Sequence, residues 1–162
     1  MQNPIASQPL NRRAPKIALY FGAVFLLLAD RLAKAAAINI WSKTPLTIFS
    51  WLKLDYFLNK GLAFSLPIGN TPAIIISVLI CLGLLFTVIL SKNWLTKLLL
   101  TIIVVFAINN NIDRLLYGGV IDWINIPYFS VFNLSDAAIT ITVSWLTIKS
   151  SFIIKGESTS KL

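Results

Sequence analysis

The 162-residue chain has no histidine, a single cysteine and only six acidic residues. Without histidine there can be no Ser-His-Asp or Cys-His nucleophile system and no HExxH zinc site. One cysteine excludes a disulfide framework within the chain. Cys81 lies inside the apolar run ISVLICLGLL and reads as a small packed residue rather than a reactive thiol. Charged residues make up 12% of the chain and hydrophobic ones 57%, where soluble domains carry about a quarter and about half. That balance defines an integral membrane protein, read here as one domain. The net charge of +8 does not indicate nucleic acid. The bases are dispersed between apolar runs, with no Arg-rich arm or recognition motif, so membrane orientation accounts for them.

The apolar runs predict four membrane spans, at about 17–37, 73–90, 95–112 and 131–154. The first could instead be the core of a cleaved signal peptide, with small residues in AKAAA. It runs straight into Asp30, Arg31 and Lys34, however, which a signal peptide does not need. Residues 38–70 mix aromatics, β-branched residues, Pro and Gly without a helical stripe, and read as short strands or an interfacial ribbon. With four spans, the segments 38–70 and 115–132 share one side. The termini, the 91–93 turn and Lys97 near the start of the third span, on the other side, carry eight Lys or Arg against Glu157, whereas the first side carries six against all five aspartates. The excess of bases places both termini in the cytoplasm. The expected fold is an all-α integral membrane protein of four transmembrane helices with a small extracytoplasmic β-cradle.

The polar chemistry concentrates in Asn109–Asp136, which holds Asp113, Asp122, Asp136, Arg114 and a cluster of asparagines. Ionisable groups at the edge of a bilayer are costly and point to function. Asp30 and Lys34 stand i,i+4, acid first, as a helical ion pair does. Asn110 and Asp113 stand i,i+3, as do Asn133 and Asp136. For Asp30, Lys34, Asp113 and Arg114 the reading is structural: they hold helix ends together, with Arg114 claimed first by Asp113. Asp122 and Asp136 have no such partner. Brought together they would share a proton, giving one acid and one base, which is what activating a water against a peptide carbonyl requires. Two carboxylates with an asparagine could equally hold a divalent cation or relay protons.

Four motifs, in order, resemble the lipoprotein signal peptidase (signal peptidase II) family. They are DRLAK at Asp30–Lys34, NKGLAFS at Asn59–Ser65, NNNIDRLLYGGVIDW at Asn109–Trp123 and FNLSDAAI at Phe132–Ile139. The resemblance implies an intramembrane aspartic endopeptidase of the bacterial inner membrane. Such an enzyme cuts a prolipoprotein just before its diacylglyceryl-modified cysteine, at the outer leaflet. Asp122 and Asp136 would be the catalytic dyad. Asp30, Lys34, Asn110, Asp113, Arg114 and Asn133 would support the site, and Asn59, Gly61, Ala63 and Phe64 would border the substrate. No cofactor or metal is expected, and the partners are the lipidated prolipoprotein and membrane lipids, bound by a monomer. The chain departs from the family pattern where Val105, Phe106 and Asn109 replace glycines, Asn111 a leucine and Ser135 an alanine. Only fourteen positions separate Asp122 from Asp136. Two alternatives stay open: a catalytically inactive homologue, and a small ion- or proton-coupled transporter. The second needs polar groups continuing to the inner face, where the spans carry almost none.

Overall fold

The structure, a computed structural model, describes residues 14–61 and 69–159. Its helices are α1 (Ala14–Ala36), α2 (Asn70–Leu90), α3 (Trp94–Tyr117) and α4 (Leu134–Thr159). Its strands are β1 (Leu46–Phe49), β2 (Leu52–Asn59), β3 (Val120–Ile126) and β4 (Ser130–Phe132). The architecture is mostly helical with one small antiparallel sheet, in strand order β1-β2-β3-β4.

Local chemistry sets the helix ends. Pro72 lies in the first turn of α2, where a missing N–H costs nothing. The Asn93 side chain caps α3, accepting from the N–H groups of Leu95 and Thr96 at 2.9 and 3.1 Å. Gly118 ends the same helix in the left-handed region (φ 75°), returning its N–H to the Arg114 carbonyl. α2 and α3 are long and apolar enough to cross a membrane. In α2 only Ala73 and Cys81 of the 21 residues are buried within the protein. A soluble protein would bury the apolar face of such a helix, so this one needs lipid around it. α3 is central. Leu98, Ile103, Val104 and Phe106 are buried along it, and so are three consecutive asparagines near its end.

The Lys16 ammonium sits 4.6 Å over the Trp94 ring, which brings the N-terminal ends of α1 and α3 to one end of the molecule. The C-terminal ends of α1 and α3 and the N-terminal ends of α2 and α4 meet at the other. There the sheet covers them.

Several boundaries differ from the sequence reading. The first helix does not stop at 37 but continues as a π-helical turn, Ala37–Trp41. α3 runs to Tyr117, so the segment expected from 115 starts at Gly118. α4 begins at Leu134 rather than 131, because Ser130–Phe132 pair with Ile124–Ile126. Half the sheet therefore comes from the 115–132 segment, where no strands were expected. Its β3–β4 connection is Pro127-Tyr128-Phe129, a turn closed by Phe129 N–H to the Ile126 carbonyl with Tyr128 at φ 66°.

β3 is placed against β2 by Gly119. A Cβ there would stand 2.8 Å from the Asn59 carbonyl oxygen, a backbone atom with little freedom to yield. Strand register follows, pairing Asn59 with Val120 and Phe57 with Asp122. Gly119→Ala is expected to cost about 1–3 kcal/mol, as overpacking against fixed atoms does, and to lower the thermal midpoint in detergent. An unchanged midpoint would show that the two strands part easily at this point.

Candidate active site

Three adjacent asparagines on α3 point about 100° apart around the helix, and each meets a different neighbour. Asn111 faces α2, donating to Ser77 Oγ at 2.9 Å. Asn109 faces α1 and α4, donating through Nδ2 to Asp30 Oδ2 and to Ser135 Oγ, both at 2.8 Å. Asn110 accepts from Lys34 Nζ at 2.8 Å and donates to Asp136 Oδ1 at 2.8 Å.

Beneath the site lies a buried charge cluster. Lys34 pairs with Asp30 at 3.1 Å and with Asp113 at 2.7 Å, and Arg31 pairs with Asp113 at 2.6 Å. Two carboxylates face two cations, so the cluster is neutral as a whole. Burying charge demands this, because an unpaired ion inside costs several kcal/mol. The expected claim of Asp113 on Arg114 is therefore corrected. Asp113 is satisfied by α1, and Arg114, the next residue along the helix, points away from it. Arg114 donates to the Gly61 carbonyl at 2.6 Å and approaches Asn70 Oδ1 at 3.5 Å, while Asn70 donates to the Arg114 carbonyl at 3.1 Å. It thus ties the end of β2 to the start of α2. Ala63 and Phe64, expected between them, lie outside the described residues.

Asp122 on β3 and Asp136 on the first turn of α4 form no salt bridge among the described residues. No base among these pairs with either, as the sequence reading expects; their polar partners are amides. Asp122, fully buried, accepts from Asn133 Nδ2 at 2.7 Å and from Asn59 Nδ2 at 3.1 Å. Asp136 accepts from Asn110 Nδ2. Each amide is oriented by its other end. Asn59 Oδ1 takes the Gly61 N–H at 3.0 Å, Asn133 Oδ1 takes the Asp136 N–H at 2.9 Å, and Asn110 Oδ1 takes the Lys34 ammonium. An amide whose oxygen is committed to a donor must present its N–H groups on the other side. All three therefore aim N–H groups at the two carboxylates. Asn133 touches both acids, since it caps α4 and holds Asp122 in the same residue.

Burial pushes the Asp122 carboxyl up to about 7, with the neighbouring Asp136 charge adding to the rise. The Asn59 and Asn133 donors and the Lys34 charge pull the other way. A carboxyl poised there can hold a proton or release it near neutral pH.

Sequence reasoning missed four contributors. Arg31 donates to the Asn109 side chain and carbonyl as well as pairing with Asp113. Trp123 donates its ring N–H to Asp30 Oδ1 at 3.1 Å. Ser135 donates to Asp30 Oδ2 at 2.7 Å. Asn70 pairs with Arg114. The signal available for Arg31 and Trp123 was only their place beside Asp30 and Asp122.

A bundle of apolar helices, capped by a small sheet and holding two aspartates among oriented amides, belongs with the helical membrane enzymes. Residues 22–152 match the family model described as signal peptidase (SPase) II, and the chain belongs to that family. A lipoprotein signal peptidase of Chlorobium phaeobacteroides (strain BS1) is 34% identical over 144 residues, covering 78% of this chain and 91% of that protein. One from Caldicellulosiruptor bescii is 36% identical over 135 residues, covering 82% and 87%. The fold is also that of a bacterial membrane enzyme solved by the in meso method at 2.3 Å resolution. The TM-score is 0.72 at 23% identity, covering 88% of this chain and 90% of that one.

Proposed function

We propose that this chain is an intramembrane aspartic endopeptidase that removes the signal peptide from lipid-modified prolipoproteins, cutting before the diacylglyceryl cysteine. The observation that carries this reading is the set of three amides, from Asn59, Asn110 and Asn133, that aim N–H groups at Asp122 and Asp136. They hold two like-charged groups in one small region without supplying a neutralising cation. In the proposed dyad the two acids share one proton. The ionised member takes a proton from water as it attacks the carbonyl preceding the lipidated cysteine. The protonated member donates to the carbonyl oxygen. As the C–N bond breaks, the first acid passes the proton it took from water to the departing amine, and the second takes a proton back from the hydroxyl as the carbonyl re-forms. Acyl chains lying between the helices would fix the scissile bond at the dyad, so that binding energy remote from the bond supports the chemistry.

The membrane arrangement belongs to the same proposal. All four helices cross the inner membrane, both termini are cytoplasmic, and the dyad sits at the outer leaflet under the sheet. The grouping of the charged and amide side chains at one end of the bundle supports it. The protein works as a monomer without metal or cofactor.

The test is purified protein in detergent or vesicles, given a diacylglyceryl-modified prolipoprotein and its unmodified form. Mass spectrometry should find cleavage before the lipidated cysteine and none of the unmodified chain. Equal cleavage of both forms would remove the lipid from the recognition scheme, and no cleavage of either would sink the assignment.

The Asp122 carboxyl also predicts how the protein responds to pH. Its value is raised by folding to about 7 from an ordinary 3.8, so the folded state favours the protonated form. This contribution is complete below about 3.8, shrinks as pH rises and is lost beyond about 7. Thermal stability should therefore decline between pH 5 and pH 8, and Asp122→Asn should flatten that slope. Cleavage should show an alkaline limb with its midpoint near 7, where the dyad loses its shared proton. A rate that is flat from pH 5 to 9 would contradict the assignment of the acid.

A further inference from the structure

Asp30 has a place in the fold that the peptidase reading does not itself explain. Its Oδ1 accepts from Trp123 Nε1 at 3.1 Å and from the Leu134 N–H at 3.0 Å. Its Oδ2 accepts from Asn109 Nδ2 at 2.8 Å, Ser135 Oγ at 2.7 Å and Lys34 Nζ at 3.1 Å. One carboxylate on α1 thus grips the residue after Asp122 and the residue before Asp136. Asn109 and Ser135 close a ring with it, because Asn109 Nδ2 also donates to Ser135 Oγ at 2.8 Å. Asp30 and Ser135 are fully buried, and Asn109 is 3% exposed. Every polar atom of the ring is used. Asn109 Oδ1 takes the Arg31 Nε–H, so that its two amide hydrogens are left for Asp30 and Ser135.

We propose that Asn109 and Ser135 are positioning residues that act as one unit through Asp30, setting the separation and orientation of Asp122 and Asp136. This rests on the reading of the two acids as a peptidase dyad. The ring is the only direct side-chain link among the described residues from α3 through α4 to the α1 carboxylate that holds Trp123. Neither Asn109 nor Ser135 bonds to a dyad carboxylate, so neither is a catalytic residue. Their effect passes through the backbone to the adjoining positions: Ser135 directly to Asp136, and Trp123, fixed by Asp30, directly to Asp122. Removing one ring member leaves a buried donor or acceptor unmatched and lets α4 shift against β3. Removing both opens the same ring once, leaving Asp30 Oδ2 with Lys34 alone.

The proposal is tested with Asn109→Ala, Ser135→Ala and the double variant, all in the full-length protein and well below their melting temperatures. Each single variant should lower kcat about tenfold with KM within about twofold, since positioning of the acids and not lipid binding is disturbed. The double variant should lose no more than the worse single one, because residues acting as a unit are not additive. Effects that multiply to about a hundredfold, effects confined to KM, or single variants with wild-type kcat would each overturn the proposal. Ser135→Ala removes one oxygen and carries the test if Asn109→Ala does not fold. Should the wild-type protein cleave no lipidated substrate, it is the peptidase reading that fails. The ring is then read from the indole N–H resonance of Trp123, assigned with Trp123→Phe. That resonance should move in Ser135→Ala, and a resonance that stays in place would refute the ring's hold on β3.

Discussion

Asp122→Asn and Asp136→Asn are each expected to lower cleavage of a lipidated prolipoprotein by about 10⁴-fold, the upper end of what one positioned acid or base contributes. Gel shift or mass spectrometry of the processed product measures it. The two variants should part company in stability. Both Asp122 oxygens accept from amide nitrogens, of Asn133 at 2.7 Å and Asn59 at 3.1 Å. An asparagine in its place offers one acceptor and one donor, so one amide must face another N–H. Neither neighbour can rotate freely to correct this, because Asn59 Oδ1 holds the Gly61 N–H and Asn133 Oδ1 caps α4. Asp122→Asn should therefore cost about 1–3 kcal/mol when compared at pH 6, the usual penalty for a buried unmatched polar group. Asp136→Asn keeps the oxygen that accepts from Asn110 and should melt near wild type. If either variant cleaves at the wild-type rate, the dyad is wrong. If the two melt alike, the oriented-amide account of Asp122 is wrong even though the dyad stands.

What the sequence reveals here depends on how far apart the interacting residues lie. Helix positions were legible because each is a local apolar run, and α2 needs nothing beyond its own 21 residues to be recognised. The strands after Gly118 were not legible. VIDWINI has a buried acid and an asparagine among apolar residues, and the three residues of β4 are too few to show alternation. β3 forms on the edge that β2, some sixty positions earlier, offers in register, and β4 in turn pairs with β3. The site was half legible. The i,i+4 spacing pointed to Asp30–Lys34, and the structure has that pair. It could not reveal that Lys34 also serves Asp113, or that Arg31, one turn before Lys34, reaches Asp113 across 82 positions. Adjacency in sequence misled in the case of Asp113 and Arg114, since neighbours on a helix diverge by about 100°. In the sequence Asn109 and Ser135 read only as departures from a family pattern. In space they touch each other and Asp30. Of the two bulky residues in place of glycines, Phe106 is accommodated as fully buried core, whereas Val105 turns outward, 38% exposed.

Lys34→Met should produce the largest loss of stability. The ammonium is 2% exposed and makes three bonds, to Asn110 Oδ1 at 2.8 Å, Asp113 Oδ2 at 2.7 Å and Asp30 Oδ2 at 3.1 Å. Methionine fills a similar volume, so packing is roughly preserved and the charge alone is removed. Among the described residues Arg31, paired with Asp113, is then the one cation left to the two acids. Breaking a buried pair in this way costs about 3–5 kcal/mol, because the remaining charge stays out of water without compensation. For a chain of this size that corresponds to a fall of roughly 10 °C in thermal midpoint. Lys34→Arg should not rescue it, since a planar guanidinium cannot reach three acceptors grouped around a point charge. Lys34→Met with Asp113→Asn should recover part of the loss. It returns the cluster to charge balance, and the oxygen of the introduced amide can still accept from Arg31. Cleavage should fall in Lys34→Met even at low temperature, because Asn110 loses the donor that orients its N–H toward Asp136. A midpoint within about 2 °C of wild type, far short of the shift a broken buried pair produces, would mean that the cluster is hydrated and that its charges do not brace the dyad. A double variant less stable than Lys34→Met alone would mean the same.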